Sequence, residues 1–170
     1  EEMRHWTAFE RAEMCLRIYD LWQERVEEVA RIMTLEQGKP FHAEAVDDVA
    51  ESGDYFQIAA EDVKRLSGQL IPTTARSRRM FTVRRPVGVW AAITPWNFPI
   101  AMITRKVSPA LAAGCTVVAK PASATPLCAL ALAELAARAG FPAGVFNVVT
   151  STDSKKVGLE LSTNPAVRKL

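Results

Sequence analysis

The stretch Val-Gly-Val-Trp-Ala-Ala-Ile-Thr-Pro-Trp-Asn-Phe-Pro, residues 87–99, decides the fold of this chain. It begins as an apolar run typical of a strand in a parallel sheet, and it ends in a turn that prolines restrict on both sides. The expected strands are residues 87–94, 115–119 and 145–149, and the expected helices between them are residues 98–113 and 125–139. This alternation predicts an α/β fold with a doubly wound parallel sheet. A fourth strand begins at Val167, so we expect the domain to be incomplete.

The residues before this sheet are predicted to be mainly helical. Thr7 and Glu10 form a capping-box pattern, in which each side chain can bind an orphan amide at a helix start. Apolar residues then recur every three or four positions up to Gly38, which indicates one amphipathic helix or two. A further helix is expected at residues 41–66. Its predicted inner face consists of Val46, Val49, Phe56, Val63 and Leu66.

Residues 69–86 have a different character and predict an extended hairpin. Pro72 and two threonines are followed by a basic cluster and then by Met-Phe-Thr-Val at residues 80–83, which suits a pleated strand. We therefore divide the chain into N-terminal helices at residues 1–68, a hairpin at residues 69–86 and the first part of a Rossmann-like sheet at residues 87–170.

Composition narrows the class of protein. The chain has 170 residues, of which 49% are hydrophobic, so a packed core is expected rather than disorder. Its 21 basic and 19 acidic side chains are too evenly balanced to suggest a nucleic-acid partner. No apolar run approaches the length of about 20 residues that a membrane helix needs. The first residues do not resemble a secretion signal, and the odd number of cysteines suggests no disulfide framework. We expect a cytoplasmic protein.

Ligands of open parallel sheets bind beyond the carboxyl ends of the strands, which directs attention to Asn97 and Lys120. The Asn97 amide lies in a rigid turn and is able to donate to an oxygen that gains negative charge, a contribution of about 2.7–4 kcal/mol in a preorganised site. On residue type alone, capping of the following helix is the more ordinary role. Lys120 follows an apolar strand, and both an anion-binding lysine and a snorkelling surface lysine fit this position.

Other polar residues offer weaker candidates. The glycine fingerprint of dinucleotide-binding folds does not occur in the sequence. His5 and His42 have no obvious partner for acid–base chemistry. Cys115 and Cys128 lie in apolar surroundings, where a thiol usually behaves as a small hydrophobic group. A basic cluster is expected to be solvated rather than to bind an anion. It comprises Arg76, Arg78, Arg79, Arg84 and Arg85.

The Pro-Trp-Asn-Phe-Pro turn and its extension Ala-Met-Ile-Thr-Arg-Lys at residues 101–106 resemble aldehyde dehydrogenases, specifically the succinate-semialdehyde group. Lys-Pro-Ala-Ser at residues 120–123, Pro-Ala-Gly-Val-Phe-Asn-Val-Val at residues 142–149 and Glu-Gln-Gly-Lys-Pro at residues 36–40 extend the resemblance. It covers nearly the whole chain but only about a third of a three-domain family member. The resemblance implies the N-terminal part of that fold, with the catalytic domain absent.

The resemblance implies roles for individual residues. Asn97 corresponds to the asparagine whose amide stabilises the oxyanion of the thiohemiacetal, and Lys120 to the lysine that binds the adenosine ribose or its phosphate. Ser123 stands where NAD-preferring relatives commonly have a glutamate, whose charge would repel a 2′-phosphate. The cofactor is therefore expected to be NADP, with NAD possible. The implied cofactor-binding residues are Ile93, Thr94, Pro95, Trp96, Lys120, Pro121, Ala122 and Ser123.

Arg105 matches the arginine that holds the distal carboxylate of succinate semialdehyde in these relatives. The implied reaction is the NADP-dependent oxidation of succinate semialdehyde to succinate, through a cysteine that this chain does not contain. This chain alone is therefore expected to be inactive. Residues 69–86 correspond to the hairpin through which the family forms oligomers, so a dimer or tetramer is expected of the complete protein. Thr150-Ser151-Thr152 departs from the family pattern, which usually has a glycine after the threonine.

Two alternatives remain open at this stage. The chain fits a non-catalytic fragment or pseudoenzyme that acts by binding full-length subunits. It also fits a dehydrogenase for a related substrate such as glutarate semialdehyde, because Arg105 does not determine the length of the substrate.

Overall fold

A computed structural model describes residues 2–170, which fold into helices packed on a parallel sheet. The helices are α1 (Ala8–Gln23), α2 (Val26–Gln37), α3 (Val46–Val63), α4 (Ala101–Ala112), α5 (Leu127–Ala139) and α6 (Ser154–Thr163). The strands are β1 (Leu70–Ile71), β2 (Met80–Phe81), β3 (Val89–Ile93), β4 (Thr116–Lys120), β5 (Phe146–Val148) and β6 (Val167–Lys169). The predicted α/β fold with a parallel sheet is confirmed.

The order of the main sheet is β5-β4-β3-β6, and all three pairings are parallel. The chain steps from β3 to β4 to β5 in one direction and then crosses back so that β6 lies beside β3. Because crossovers of this kind are right-handed, α4 and α5 lie on one face of the sheet and α6 on the other. The reversal creates a topological switch point next to β3, which is where such sheets bind ligands.

The N-terminal helices begin as the sequence predicts. Thr7 accepts a hydrogen bond from the backbone of Glu10, and the Glu10 carboxylate accepts one from the backbone of Thr7, so the capping box is present. The two-helix alternative is correct, because α1 ends at Gln23 and α2 begins at Val26. Gly38 ends α2 in the left-handed conformation with φ 86°.

The third helix is shorter than expected at both ends. Residues 41–45 form a single π-helical turn, and α3 ends at Val63. Leu66 lies past that end and is 52% exposed, so its assignment to the inner face was wrong. Val49, Phe56 and Val63 are buried as predicted, and they pack with the apolar residues of α1 and α4.

The hairpin between α3 and the sheet is present but small. Leu70 pairs with Phe81 and Ile71 with Met80 in an antiparallel ribbon, and all four side chains are exposed. The arginines of this region are exposed, as the sequence predicts. Within residues 2–170 no helix is long and apolar enough to cross a membrane.

Candidate active site

The ends of β3 and β4 bring the predicted site segments to one edge of the sheet. Ile93 and Lys120 are paired residues of these strands, and the backbone amide of Thr94 donates to the Lys120 carbonyl over 3.2 Å. The turn formed by residues 95–99, called the Asn97 turn below, therefore leaves the sheet beside Lys120. This is the arrangement that a shared crevice at the carboxyl edge requires.

Lys120 is a buried cation at this edge. It is only 3% exposed, so the interpretation as a snorkelling surface lysine was wrong. Its Nζ atom donates to the Pro121 carbonyl at 3.3 Å and to Ser154 Oγ at 3.2 Å. Among the described residues no carboxylate forms an ion pair with it. Because an unpaired buried charge is costly, the site is suited to an anionic ligand.

Ser123 belongs to the same polar group. Its hydroxyl lies 2.8 Å from the Ser151 carbonyl, to which it donates, and 3.0 Å from Ser154 Oγ. An open cavity of about 330 Å³ lies beside it. The cavity is lined by Pro121, Ala122, Ser123, Pro126, Thr150, Ser151 and Thr152. The lining therefore brings together the loops that follow β4 and β5.

Ser154 was not predicted from the sequence as a site residue. It is the first residue of α6, whose N-cap Asp153 accepts a hydrogen bond from the Lys156 amide over 2.9 Å. The Asp-Ser pair is a helix-start signal, and helix starts after strand ends are positions where ligands bind. This signal predicts the start of a helix, but it does not predict that Ser154 contacts Lys120.

Asn97 is exposed to solvent in the turn that follows β3. The N-cap of α4 is Ile100, with no side-chain cap, so the interpretation of Asn97 as a helix cap was wrong. Its backbone carbonyl accepts a hydrogen bond from Gln37 Nε2 at 3.0 Å. Its side-chain amide forms no hydrogen bond with the residues that the structure describes. The amide is therefore available to an incoming oxygen.

Two buried hydroxyls near the strand ends also lack partners. Thr94 Oγ1 and Thr125 Oγ1 are buried and make no hydrogen bond within residues 2–170. Thr94 directly follows β3, and Thr125 lies in the loop that follows β4. Buried polar atoms normally find a partner, so these positions suit a polar ligand.

Arg105 lies apart from these residues, in a groove between α3 and α4. The groove has a volume of about 470 Å³ and a mainly apolar lining that includes Tyr55, Ile58, Ser108 and Arg105. The Arg105 guanidinium carbon lies 5.8 Å from the centre of the Tyr55 ring. Arg105 is exposed and forms no ion pair within the described residues, so it is free to bind a carboxylate.

Residues at the end of α2 contact the segments that carry the site residues, which the sequence did not predict. Lys39 and Asp48 form an ion pair whose side chains are 6% and 9% exposed, and Lys39 Nζ lies 4.2 Å from the centre of the Phe98 ring. Glu36 caps α5 by accepting a hydrogen bond from the Leu127 amide at 2.8 Å. Burial raises the pKa of the Glu36 carboxyl above its usual value, and hydrogen bonds from the backbone of Leu127 and Cys128 offset only part of that rise.

The remaining candidates for covalent or metal chemistry are weak. Burial raises the pKa of the Cys15 and Cys128 thiols to about 12, so both stay protonated near neutral pH. His5 and His42 are exposed. Across residues 2–170, no group of three His, Cys, Asp or Glu side chains is arranged to hold a metal ion.

Comparison with known proteins identifies close relatives. The family model described as "Aldehyde dehydrogenase family" matches residues 1–170. A protein named succinate-semialdehyde dehydrogenase (NADP+) from Escherichia coli strain K12 is 56% identical over 164 residues, which cover 96% of this chain and 34% of that protein. A glutarate-semialdehyde dehydrogenase from Pseudomonas aeruginosa is 55% identical over 164 residues, again 96% of this chain and 34% of the relative.

Solved structures of longer enzymes are also similar to this chain. A crystal structure of an Escherichia coli NADP-dependent enzyme has a TM-score of 0.96 and 54% identity, with 99% of this chain and 35% of that chain covered. A succinate-semialdehyde dehydrogenase from Burkholderia pseudomallei has a TM-score of 0.96 and 50% identity over 99% of this chain and 35% of its own. The chain therefore spans about a third of the length of the relatives it matches.

Proposed function

Because this chain belongs to the aldehyde dehydrogenase family, we propose that it forms the cofactor-binding and oxyanion-stabilising part of a longer enzyme. That enzyme oxidises an acid semialdehyde, with succinate semialdehyde as the first candidate, to the dicarboxylic acid and uses NADP. The observation that carries this proposal is the buried, unpaired Lys120 ammonium at the sheet edge beside the Asn97 turn. We also propose that residues 1–68, 69–86 and 87–170 act as helical layer, oligomerisation hairpin and cofactor-binding sheet.

The residues of the crevice fit NADP. Lys120 offers an ammonium without a carboxylate partner among the described residues, and Ser123 offers a hydroxyl beside it. The lining of the adjacent cavity contains no acidic side chain, so nothing in it repels a phosphate. The unpartnered hydroxyls of Thr94 and Thr125 add polar groups near the same edge. When bound, NADP supplies the nicotinamide that accepts the hydride.

The chain's own residues then have distinct tasks in this proposal. Lys120, Pro121, Ala122 and Ser123 bind the adenosine phosphate end of the cofactor, and the segment from Ile93 to Trp96 lies along it. Asn97 donates its amide to the oxygen that becomes negative when the aldehyde is attacked. Because this hydrogen bond strengthens as negative charge develops on the oxygen, it stabilises the transition state more than the bound aldehyde. The attacking cysteine lies outside the part of the family that this chain represents.

Cofactor choice is tested by titrating the full-length protein with NADP and with NAD and following tryptophan fluorescence. We expect tighter binding of NADP, and we expect Lys120→Met to weaken NADP at least tenfold, because each lost charge-assisted contact with a phosphate is worth about 1.5–3 kcal/mol. Arg138→Met, which removes an exposed partner of Glu134 on α5, serves as the control. Tighter binding of NAD by the unchanged protein would contradict the choice of NADP.

Arg105 supports the choice of a semialdehyde that carries a second acid group. It is an exposed cation in an apolar groove next to the helix that follows Asn97, and it has no carboxylate partner in the described part of the chain. A substrate carboxylate would form a charge-assisted pair with Arg105 that a neutral aldehyde lacks. The relatives include enzymes named for succinate and for glutarate semialdehyde at nearly equal identity, so both are candidate substrates.

The substrate test measures NADPH formation by the full-length protein with succinate semialdehyde, glutarate semialdehyde and a neutral aldehyde of similar size. Arg105→Ala is expected to raise KM for the acid semialdehydes at least tenfold and to change KM for the neutral aldehyde less than threefold. Equal effects on both classes would remove Arg105 from substrate binding. If the unchanged full-length protein forms no NADPH or NADH with any aldehyde, the non-catalytic fragment becomes the better interpretation.

A cytoplasmic location is also part of the proposal. Cys15, Cys115 and Cys128 are buried and free, which fits a reducing compartment.

A further inference from the structure

We propose that Gln37 and Lys39, at the end of α2, are positioning residues that hold the Asn97 turn in its reactive orientation. This inference rests on the proposed function, because it assigns these residues a task only if Asn97 stabilises an oxyanion. Neither residue has a place in the cofactor-binding or substrate-binding groups described above. Both act on the backbone and ring next to the functional amide rather than on a ligand.

The contacts converge on two consecutive residues of the turn. Gln37 Nε2 donates to the backbone carbonyl of Asn97 at 3.0 Å, and Lys39 Nζ lies 4.2 Å from the centre of the Phe98 ring. Both distances suit attractive interactions, a hydrogen bond in the first case and a cation–π contact in the second. The side-chain amide of Asn97 has no hydrogen bond of its own within residues 2–170. Its direction therefore depends on how the backbone beneath it is held.

Gly38 explains why two neighbouring side chains reach the same turn. It ends α2 with φ 86°, a left-handed conformation that reverses the direction of the chain without strain for glycine. Gln37 remains on the last turn of the helix, whereas Lys39 lies past the reversal and turns inward to a site that is 8% exposed. The two side chains therefore approach the Asn97 turn from the same helix end.

The Lys39–Asp48 ion pair is expected to contribute little net stability to the fold. Both side chains are nearly buried, at 6% and 9% exposure, and desolvation of such a pair offsets most of its attraction. A pair of apolar side chains of similar size would fill the same space. What an apolar pair cannot provide is an ammonium over the Phe98 ring at a fixed height. The geometry therefore favours positioning over stabilisation as the role of this pair.

A change in the direction of the Asn97 amide has a defined kinetic consequence. The Asn97 amide interacts with the oxygen only once negative charge develops, so its misplacement affects the transition state and not the bound aldehyde or NADP. Loss of positioning should therefore lower kcat and leave the KM values nearly unchanged. A general loss of stability would instead lower the amount of active enzyme and the melting temperature.

The test is a double-mutant cycle in the full-length enzyme. Lys39→Met combined with Asp48→Asn removes both charges, keeps the side-chain sizes and leaves no buried charge unpaired. We expect this double variant to lower kcat about tenfold and to keep the KM values for the aldehyde and for NADP within twofold. We expect Lys39→Arg to retain most of kcat. In an Asn97→Ala background, assayed at raised enzyme concentration, the same pair should lower kcat less than twofold further.

Matched variants separate the possible outcomes. Arg138→Met with Glu134→Gln removes an exposed ion pair on α5 and should leave kcat unchanged. If the buried double variant does not fold, as judged by its thermal transition, Gln37→Ala enters the same cycle, because the Gln37 contact is at the surface. An unchanged kcat, or an equal loss of kcat with and without Asn97, would overturn the positioning role. Failure of the unchanged enzyme to oxidise any aldehyde would instead overturn the proposed function.

Discussion

The proposed preference for NADP leads to a prediction about a single side chain, that of Ser123. Ser123 lies 3.0 Å from Ser154 Oγ, which in turn accepts a hydrogen bond from Lys120. A carboxylate in place of this hydroxyl would be able to pair with the Lys120 ammonium and would repel a phosphate. We therefore expect Ser123→Glu to neutralise the cation on which the proposed preference for NADP depends.

The expected result is a decrease of at least tenfold in the ratio of NADP affinity to NAD affinity, which corresponds to about 1.4 kcal/mol. Ser123→Ala is the matched control, because it removes the hydroxyl without adding charge and should change the ratio only slightly. Fluorescence titration of both variants with both cofactors provides the measurement. An unchanged ratio for Ser123→Glu would show that position 123 does not face the 2′-phosphate.

The buried thiols give a prediction that depends on pH. The folded protein holds the pKa of Cys15 and Cys128 at about 12, through burial in both cases, whereas an unfolded chain has a thiol pKa of about 8.5. The folded state therefore keeps the proton that the unfolded state loses. This stabilising contribution is present below pH 8.5 and decreases as the pH rises above it.

We expect iodoacetamide at pH 8 to leave Cys15 and Cys128 unmodified in the folded full-length protein and to modify both in urea. Peptide mapping by mass spectrometry reads each cysteine separately. Modification of Cys128 at the same rate in both conditions would mean that its thiol is accessible, contrary to its burial.

At the residue scale, the sequence predicts which polar residues follow the strands. It does not predict which residues from distant parts of the chain contact them. The sequence indicates Lys120 as a candidate because it ends an apolar strand, but its burial depends on packing that residue type does not reveal. Ser154 is 34 residues away from Lys120 along the chain, and only the crossover through α6 brings it close. The contacts of Lys39 cannot be read from the sequence for the same reason, since its partners Asp48 and Phe98 lie in other parts of the fold.

At the scale of elements, the packing of α1 on α3 depends on a glycine. A Cβ atom at Gly53 would lie 2.7 Å from Trp22 Cδ1, and Trp22 is fully buried with its indole nitrogen 2.7 Å from the Val49 carbonyl. A methyl group there forces the indole away from its hydrogen bond. We therefore expect Gly53→Ala to destabilise the protein by about 1–3 kcal/mol.

Gly158 in α6 is the matched control, because a Cβ atom there meets nothing within 4 Å. Gly158→Ala should stabilise the helix by about 0.5–1 kcal/mol, since alanine loses less conformational entropy on folding. Thermal unfolding of the full-length protein should show a lower transition temperature for the first variant and an equal or higher one for the second. A higher transition temperature for Gly53→Ala would mean that α1 and α3 do not pack as described.

The sequence predicts the kind and order of the elements better than their limits. Each expected strand and helix of the sheet region is present, because apolar runs and helical spacing are strong local signals. The helix expected from residue 98 begins only at Ala101, since the turn that ends at Pro99 precedes it. The break between α1 and α2 contains neither glycine nor proline, so local pattern left one helix and two as equal alternatives.

At the scale of the whole molecule, the hairpin of β1 and β2 is an exposed surface. Leu70 and Phe81 are paired across the two strands and are 73% and 71% exposed. A two-stranded ribbon with open edges is marginally stable alone and offers its backbone to another strand. We therefore predict that the hairpin joins copies of the full-length protein, which agrees with its resemblance to the family's oligomerisation hairpin.

Leu70→Glu with Phe81→Glu tests this prediction because it places charge on the exposed ribbon without touching the core. We expect light scattering after size-exclusion chromatography to show a tetramer for the unchanged protein and at most a dimer for the variant, since burying two unpaired carboxylates in an interface is unfavourable. Leu159→Glu, on an α6 side chain that is 61% exposed, should leave the assembly intact. Each subunit retains its own Asn97 turn and Lys120 crevice, so kcat per subunit should fall less than threefold. A variant with the molar mass of the unchanged protein would show that the hairpin does not hold the assembly together.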